Sequence, residues 1–224
     1  LFQYGWFTDP LFFGDYPSVM RERLGERLPE FTARERELLT GSVDFLGLNY
    51  YSSLQVSTPT TPPTYTGYWT DIDARLSAHP EWKHNDMGWP VVPDGLRNML
   101  VWISERYQQP VLYVTENGSA EHEPTLTKAM QDTGRQDYLT GHLRAAGQAL
   151  ERGVQLQGYF SWSLMDTFEW QFGYQRRFGL CWVDFKDGTL TRTPKGSAKL
   201  YNQTIIAQGH NIARAPPLSW FPSV

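Results

Sequence analysis

Sulfur and positive charge are both scarce in this sequence. Cys181 is the only cysteine among 224 residues, which excludes an internal disulfide and any cysteine-built zinc site. The histidines are scattered at 79, 84, 122, 142 and 210, with no His-Glu-x-x-His spacing, so no metal site is expected. Lys and Arg number 20 against 24 Asp and Glu, for a formal net charge of −4. That balance argues against a nucleic-acid partner, which would call for a basic patch. No apolar run approaches the roughly 18–20 residues of a spanning helix, so no membrane partner is expected. No amino-terminal stretch reads as a signal peptide. With the unpaired cysteine, this leads to an expectation of a cytoplasmic location, although Leu1 rather than Met opens the chain.

What the sequence has in surplus is aromatic surface, 15% of all residues. Aromatic rings offer flat apolar faces with polar tips, and many here stand beside carboxylates and glycines, where a core does not need them. Along the chain, 1–17 reads as the tail of a helix running into a loop. Residues 18–28 suit a short helix. Thr32-Ala-Arg-Glu35 is a capping-box pattern, with Leu38 and Leu39 predicted on the inner face. The apolar run Val43–Tyr50 suits a buried strand. Residues 57–90 read as one long loop, of a length that is usually functional or disordered. Asp94 is expected to cap a helix that places Leu96, Met99, Leu100, Ile103 and Tyr107 on one face. Val111–Thr115 is a second strand, and 119–131 another loop. Leu139, His142, Leu143, Ala146 and Leu150 mark a long helix, followed by a strand from Val154 to about Ser163. Residues 164–188 form an aromatic loop, and 194–208 hold a final helix. One domain over 1–208 and a loose Pro-containing tail over 209–224 are expected.

Strand, helix, strand, helix, strand, helix implies right-handed crossovers and a parallel sheet. Each strand ends in polar or aromatic residues: Asn49-Tyr-Tyr51, Thr115-Glu-Asn117 and Ser161-Trp-Ser163. In parallel α/β proteins the carboxyl ends of strands carry the site. The fold class is therefore α/β, a slice of a (β/α)₈ barrel, since three strands are too few to close one.

Two places carry chemistry. Glu116 stands before Asn-Gly, a turn dipeptide, so it reads either as part of a turn or as an acid at a barrel mouth. In Tyr159–Trp170, Asp166 and Glu169 lie among aromatics, where burying acids without partners is costly. The bland alternative is core filling. Carboxylates beside indoles favour a sugar, whose hydroxyls bond to the acid while its C–H face stacks on the ring.

The sequence resembles glycoside hydrolase family 1, the β-glucosidases and their relatives. The pieces that carry the resemblance are Trp6-Phe-Thr-Asp-Pro10, Gly14-Asp-Tyr-Pro17, Asp44-Phe-Leu-Gly-Leu-Asn-Tyr-Tyr51, Met87-Gly-Trp89, Val114-Thr-Glu-Asn-Gly118, Tyr159-Phe-Ser-Trp-Ser-Leu-Met-Asp-Thr-Phe-Glu-Trp170 and Gly173-Tyr-Gln-Arg-Arg-Phe-Gly179. Each alone is modest; in this order and spacing they are specific, and they span most of 1–205. The resemblance implies that Glu116 is the catalytic nucleophile and Tyr51 its hydrogen-bond partner. It implies that Trp162 is a platform under the sugar, that Glu169 and Trp170 grip its far hydroxyls, Glu169 in bidentate fashion, and that Phe178 lines the same pocket. Trp89 falls at the aglycone mouth and Asn49 near the scissile bond. Thr167 is a departure, because the family commonly has Asn there.

A larger departure is an absence. Retaining hydrolysis needs a second carboxyl as acid/base, which the family carries in a Thr-x-Asn-Glu-Pro motif, and no Asn-Glu-Pro occurs in this sequence. The chain is therefore expected to be the carboxyl-terminal part of a family-1-like barrel, about strands six to eight, with a β-glycoside as substrate. An amino-terminal half of the same barrel would be its partner, and no cofactor is implied. The alternative is a non-catalytic carbohydrate- or protein-binding half-barrel.

Overall fold

The computed structural model describes residues 1–60, 66–186 and 188–212, with side chains described as far as residue 207. The chain opens with helix α1 (Tyr4–Phe13), which stops at Gly14 in the left-handed region, φ 73°. Helices α2 (Ser18–Leu24) and α3 (Ala33–Leu39) follow. The Thr32 hydroxyl accepts from the Glu35 N–H while the Glu35 carboxylate accepts from the Thr32 N–H, which completes the expected capping box. Leu38, however, points outward and is 58% exposed.

Strand β1 (Leu46–Asn49) is followed by a small hairpin, β2 (Gln55–Ser57) with β3 (Arg75–Ser77), which encloses the short helix α4 (Tyr68–Asp71). The expected long loop over 57–90 is thus partly structured. Its strands are only three residues long, and every β2 side chain is exposed, so there was no alternation to read. Helix α5 (Pro93–Arg106) begins two residues earlier than expected, with Pro93 in its first turn and Val92 as N-cap. Proline suits that position because its missing N–H would have no partner there. Asp94 is therefore not the cap; it pairs with Arg97 one turn on, at 2.8 Å.

Strand β4 (Leu112–Asn117), helix α6 (Leu126–Ala129), helix α7 (Thr133–Glu151) and strand β5 (Leu156–Ser161) come next. The 119–131 stretch thus holds one helical turn. On α7 the buried stripe runs through Tyr138, Leu139, His142, Ala145, Ala146 and Ala149, and Leu150 is left exposed. The region read as an aromatic loop contains β6 (Cys181–Val183), which pairs antiparallel with β7 (Arg192–Pro194). Helix α8 (Gly196–Ile212) closes the described chain. It runs past the expected domain boundary at 208, and the rest of the predicted tail lies outside the described residues.

The main sheet is parallel, in the order β1-β4-β5, as three consecutive β/α units require. Leu96, Leu100 and Ile103 of α5 and Tyr107, its C-cap, are fully or almost fully buried, in one cluster with Leu46 and Leu48 of β1 and Leu112 and Val114 of β4. Each such aliphatic side chain contributes about 2 kcal/mol. At the amino end of this core, buried Asp9 of α1 accepts from the Tyr107 hydroxyl (2.5 Å) and from Arg106 Nε (3.0 Å). That fastens α1 to the carboxyl end of α5.

His142 is fully buried, its ring stacked on Tyr138 at 3.8 Å and its Nδ1 2.8 Å from the Tyr138 carbonyl. Burial pulls its pKa from 6.5 down to about 4, against the smaller opposing effect of that carbonyl. The unfolded chain therefore takes up this proton at higher pH than the folded one does. The stability it contributes is full above pH 6.5 and falls, by roughly 3 kcal/mol in all, as pH drops to about 4. Across that window the thermal midpoint of the wild-type chain, assembled with the amino-terminal half expected as its partner, should fall further than that of His142→Gln in the same assembly. Parallel slopes for the two proteins would show that the ring is not held neutral.

Candidate active site

The site forms where β1, β4 and β5 end. The register of β1 on β4 runs Leu48 opposite Val114 and then Asn49 opposite Glu116. Thr115 is thus an extra residue on β4, a bulge of the kind that re-aims a side chain beside an active site. Thr115 Oγ1 donates to Asn49 Oδ1 at 2.7 Å, which holds Asn49 next to Glu116. The Tyr51 hydroxyl donates to Glu116 Oε2 at 2.6 Å. Burial first, and then this bond, push the Tyr51 phenol well above its ordinary value of 10, so it stays a donor at any working pH.

Asn117 and Gly118 are not a turn. Asn117 is the last residue of β4 and fully buried. Its Nδ2 donates to the Tyr50 carbonyl (2.7 Å) and to the Tyr138 hydroxyl (3.0 Å), and its Oδ1 accepts from the Tyr159 hydroxyl. The Tyr138 hydroxyl donates in turn to the Tyr51 carbonyl at 2.9 Å. One amide thereby ties β1, β5 and α7 around Glu116. Gly118 serves close approach, because a Cβ there would lie 1.9 Å from the Trp162 carbonyl oxygen. Sequence reasoning quoted the Asn-Gly pair as punctuation and missed both roles; the signal available was that it directly extended an apolar strand.

Tyr51, Trp89 and Phe178 form an aromatic wall, with centroids 5.5 Å apart for Tyr51–Trp89, 6.0 Å for Tyr51–Phe178 and 6.1 Å for Trp89–Phe178. Trp89 is held by Asn85, whose side-chain oxygen accepts from the Met87 and Trp89 N–H groups, each at 3.0 Å. The loop is pinned by Arg176, which donates to Asp86 at 2.5 Å. Glu169 is almost buried, and its Oε1 accepts from Trp162 Nε1 at 3.4 Å and from Thr167 Oγ1 at 3.0 Å. The Trp162 N–H donates to the Asn117 carbonyl at 2.9 Å, so the indole starts beside the end of β4. Trp170 stands clear of this cluster, 81% exposed. A groove of about 1420 Å³ runs along the edge strand β1 and includes Asn49, Tyr51 and Trp89 in its lining.

Asp166 does not face a sugar. It is buried, and both its oxygens are occupied: Arg177 at 2.6 Å, Lys195 at 3.1 Å, and the N–H groups of Gly179 (3.0 Å) and Val183 (3.2 Å). Its aromatic neighbours in sequence suggested a ligand role, but its partners are charged residues from later in the chain. Lys195 also reaches Glu123 at 2.5 Å, and Arg135 joins Glu123 (2.8 Å) to Asp132 while donating to the Arg177 carbonyl at 2.7 Å. None of these residues except Asp166 was singled out from sequence. Among the described residues, no group of three or more His, Cys, Asp or Glu is placed to hold a metal ion, and no helix is long and apolar enough to cross a membrane.

A carboxylate at a strand end, held by a phenol and set among aromatic faces with a second anchored carboxylate, is the centre of the candidate site of this α/β protein. The family profile of Glycosyl hydrolase family 1 matches residues 1–210, and the chain belongs to that family. It is 39% identical over 216 residues to Beta-glucosidase 4 of Oryza sativa subsp. japonica, covering 90% of this chain and 43% of that protein. It is 42% identical over 209 residues to Beta-glucosidase 42 of Arabidopsis thaliana, covering 88% and 42%. Among solved structures, a rice beta-glucosidase in a covalent complex with Glc superposes with a TM-score of 0.85 at 37% identity, over 89% of this chain and 44% of that one. Beta-glucosidase 2 from Trichoderma reesei in complex with Tris gives 0.84 at 38%, over 92% and 46%. The chain thus spans less than half the length of these relatives, and its fold is part of a (β/α)₈ barrel.

The buried charges make a stability prediction. Lys195→Met should leave Glu123 and Asp166 short of a partner and destabilise the protein by about 3–5 kcal/mol. Removing the exposed Arg34, paired with Glu37 at 2.9 Å, should cost less than about 1 kcal/mol. Urea unfolding of both variants, each assembled with the amino-terminal half that completes the barrel, checks this, and equal small losses would show that the network adds nothing special.

Proposed function

We propose that the chain supplies the nucleophile and half of the sugar-binding site of a retaining β-glucosidase-like glycosidase. The observation that carries this reading is the Glu116 carboxylate at the end of β4, with the Tyr51 hydroxyl bonded to it at 2.6 Å. A carboxylate Oε attacks the anomeric carbon, the bond from that carbon to the aglycone oxygen breaks, and a glycosyl ester forms on Glu116. A second carboxyl protonates the leaving oxygen, then takes a proton from the water that hydrolyses the ester. The two carboxyls need to stand about 5–5.5 Å apart. The chemistry calls for no metal or organic cofactor, because the carboxyls carry both the covalent and the proton steps.

In this reading Trp162 lies under the sugar ring. Glu169 and Trp170 take its far hydroxyls, Phe178 closes the pocket, Trp89 meets the aglycone and Asn49 stands near the scissile bond. A purely sugar-binding half-barrel would have no use for a carboxylate oriented by a phenol, which favours the enzyme. Glu116→Gln should lower turnover by several orders of magnitude, since the amide cannot form the ester that the carboxylate forms. A 2-deoxy-2-fluoro glycoside should label Glu116. A label elsewhere, or near-normal activity of the Gln variant, would reject the assignment.

The acid/base carboxyl belongs, in our proposal, to an amino-terminal half of the same barrel, as a preceding segment or a separate chain. Coverage of about 43% of the relatives supports this, as does the edge position of β1 beside the open groove. Phe7, Phe45, Leu54 and Val56 are largely exposed around that edge, a surface of the kind that marks an interface. Residues 1–224 alone should bind a hydrophobic dye and melt without cooperativity. Adding a fragment that carries Asn-Glu-Pro should restore a sharp transition and hydrolysis of a nitrophenyl β-glucoside. Full activity of the isolated, monomeric chain would overturn the proposal.

A further inference from the structure

Thr167 stands where the resemblance leads one to expect Asn, and its side chain touches the one acid of the sugar pocket that is not the nucleophile. The Thr167 hydroxyl donates to Glu169 Oε1 at 3.0 Å, while the Trp162 indole reaches the same oxygen at 3.4 Å. A carboxylate oxygen offers two lone-pair directions, so Oε1 is filled from within the protein. Among the described residues, Oε2 accepts no hydrogen bond. The shorter of the two bonds, and hence the main tether of the carboxylate, is the one from Thr167.

The tether has a firm base. Asp166, the preceding residue, is buried with both oxygens engaged by Arg177, Lys195 and two backbone N–H groups. The Glu169 N–H donates to the Gly173 carbonyl at 2.6 Å, closing the tight turn on the other side. The side chain of a β-branched residue is stiff about χ1, so a fixed Thr167 backbone leaves the hydroxyl few directions to point.

We infer that Thr167 is a positioning residue that sets the direction in which the Glu169 carboxylate meets the sugar: its bond to Oε1 holds the plane of the group and turns Oε2 toward the far hydroxyls. This rests on the reading of the site as a glycosidase pocket. Discrimination at the far end of the sugar then depends on the Thr167 hydroxyl, a group that touches no substrate.

The test uses the assembled enzyme, with the acid/base carboxyl present, and compares nitrophenyl β-D-glucoside with its 6-deoxy and 4-deoxy analogues. Thr167→Val keeps the shape and removes the donor. It should lower the kcat/KM ratio of glucoside to the deoxy sugars about tenfold, the worth of one hydrogen bond to a charged group, with the deoxy substrates themselves changed little. Thr167→Ser keeps the donor and should hold the ratio within about twofold of the wild type. An unchanged ratio in the Val variant, an equal loss on all three substrates, or a Ser variant that behaves like Val would overturn the inference while leaving the glycosidase reading intact. A wild-type enzyme with no glucoside hydrolysis at all would overturn both.

Discussion

A network of charges sealed from water holds the mouth of the site in shape. Arg135, Lys195 and Arg177 face Glu123, Asp132 and Asp166, so the cluster is electrically neutral, and none of these side chains is more than 9% exposed. Buried charges are tolerated only when attraction and hydrogen bonding together offset the loss of hydration. Here backbone groups complete the set. Arg135 also donates to the carbonyls of Ser119 and Arg177, Arg177 to that of Val183, and Asp132 accepts from the Ser197 N–H. Burial pulls the Lys195 ammonium below its usual range, and Arg135 adds to that, while Asp166 and Glu123 hold it up.

The network matters to function through the loops that leave it. Asp166 begins the stretch that ends at Glu169, and Arg177 precedes Phe178. Arg176, on the same loop, reaches across to Asp86 and steadies the segment that carries Trp89. The strand ends fix the Glu116 carboxylate through Asn117 and the Thr115 bulge, while the ion pairs fix the loops around it. The two systems meet at the Trp162 N–H, which bonds to the Asn117 carbonyl.

The sequence made some of this legible and hid the rest for physical reasons. The α5 stripe, the Thr32 capping box and the three strands followed from local periodicity and capping, which operate over a few residues. Glu116, Tyr51 and Glu169 stood out because their motifs lie at strand ends or among indoles. Asp166 was misread because its partner Lys195 lies 29 residues away, and Glu123 lies 72 residues from the same lysine. No local pattern reports a pairing at that distance. The hairpin of β2 and β3 escaped notice because strands this short and exposed carry no two-residue alternation. Trp170 illustrates a different limit: its motif was readable, but its indole stands 81% exposed among the described residues.

Gly118 sets a gauge between two backbones. Any methyl group at that position would strike the Trp162 carbonyl, so the chain after β4 and the chain after β5 run closer together than side-chain-bearing residues permit. The spacing between the carboxylate at 116 and the indole at 162 is therefore written into the main chain. Changes in the surrounding side chains can reshape the pocket without altering the separation between the carboxylate at the end of one strand and the indole face at the end of the next.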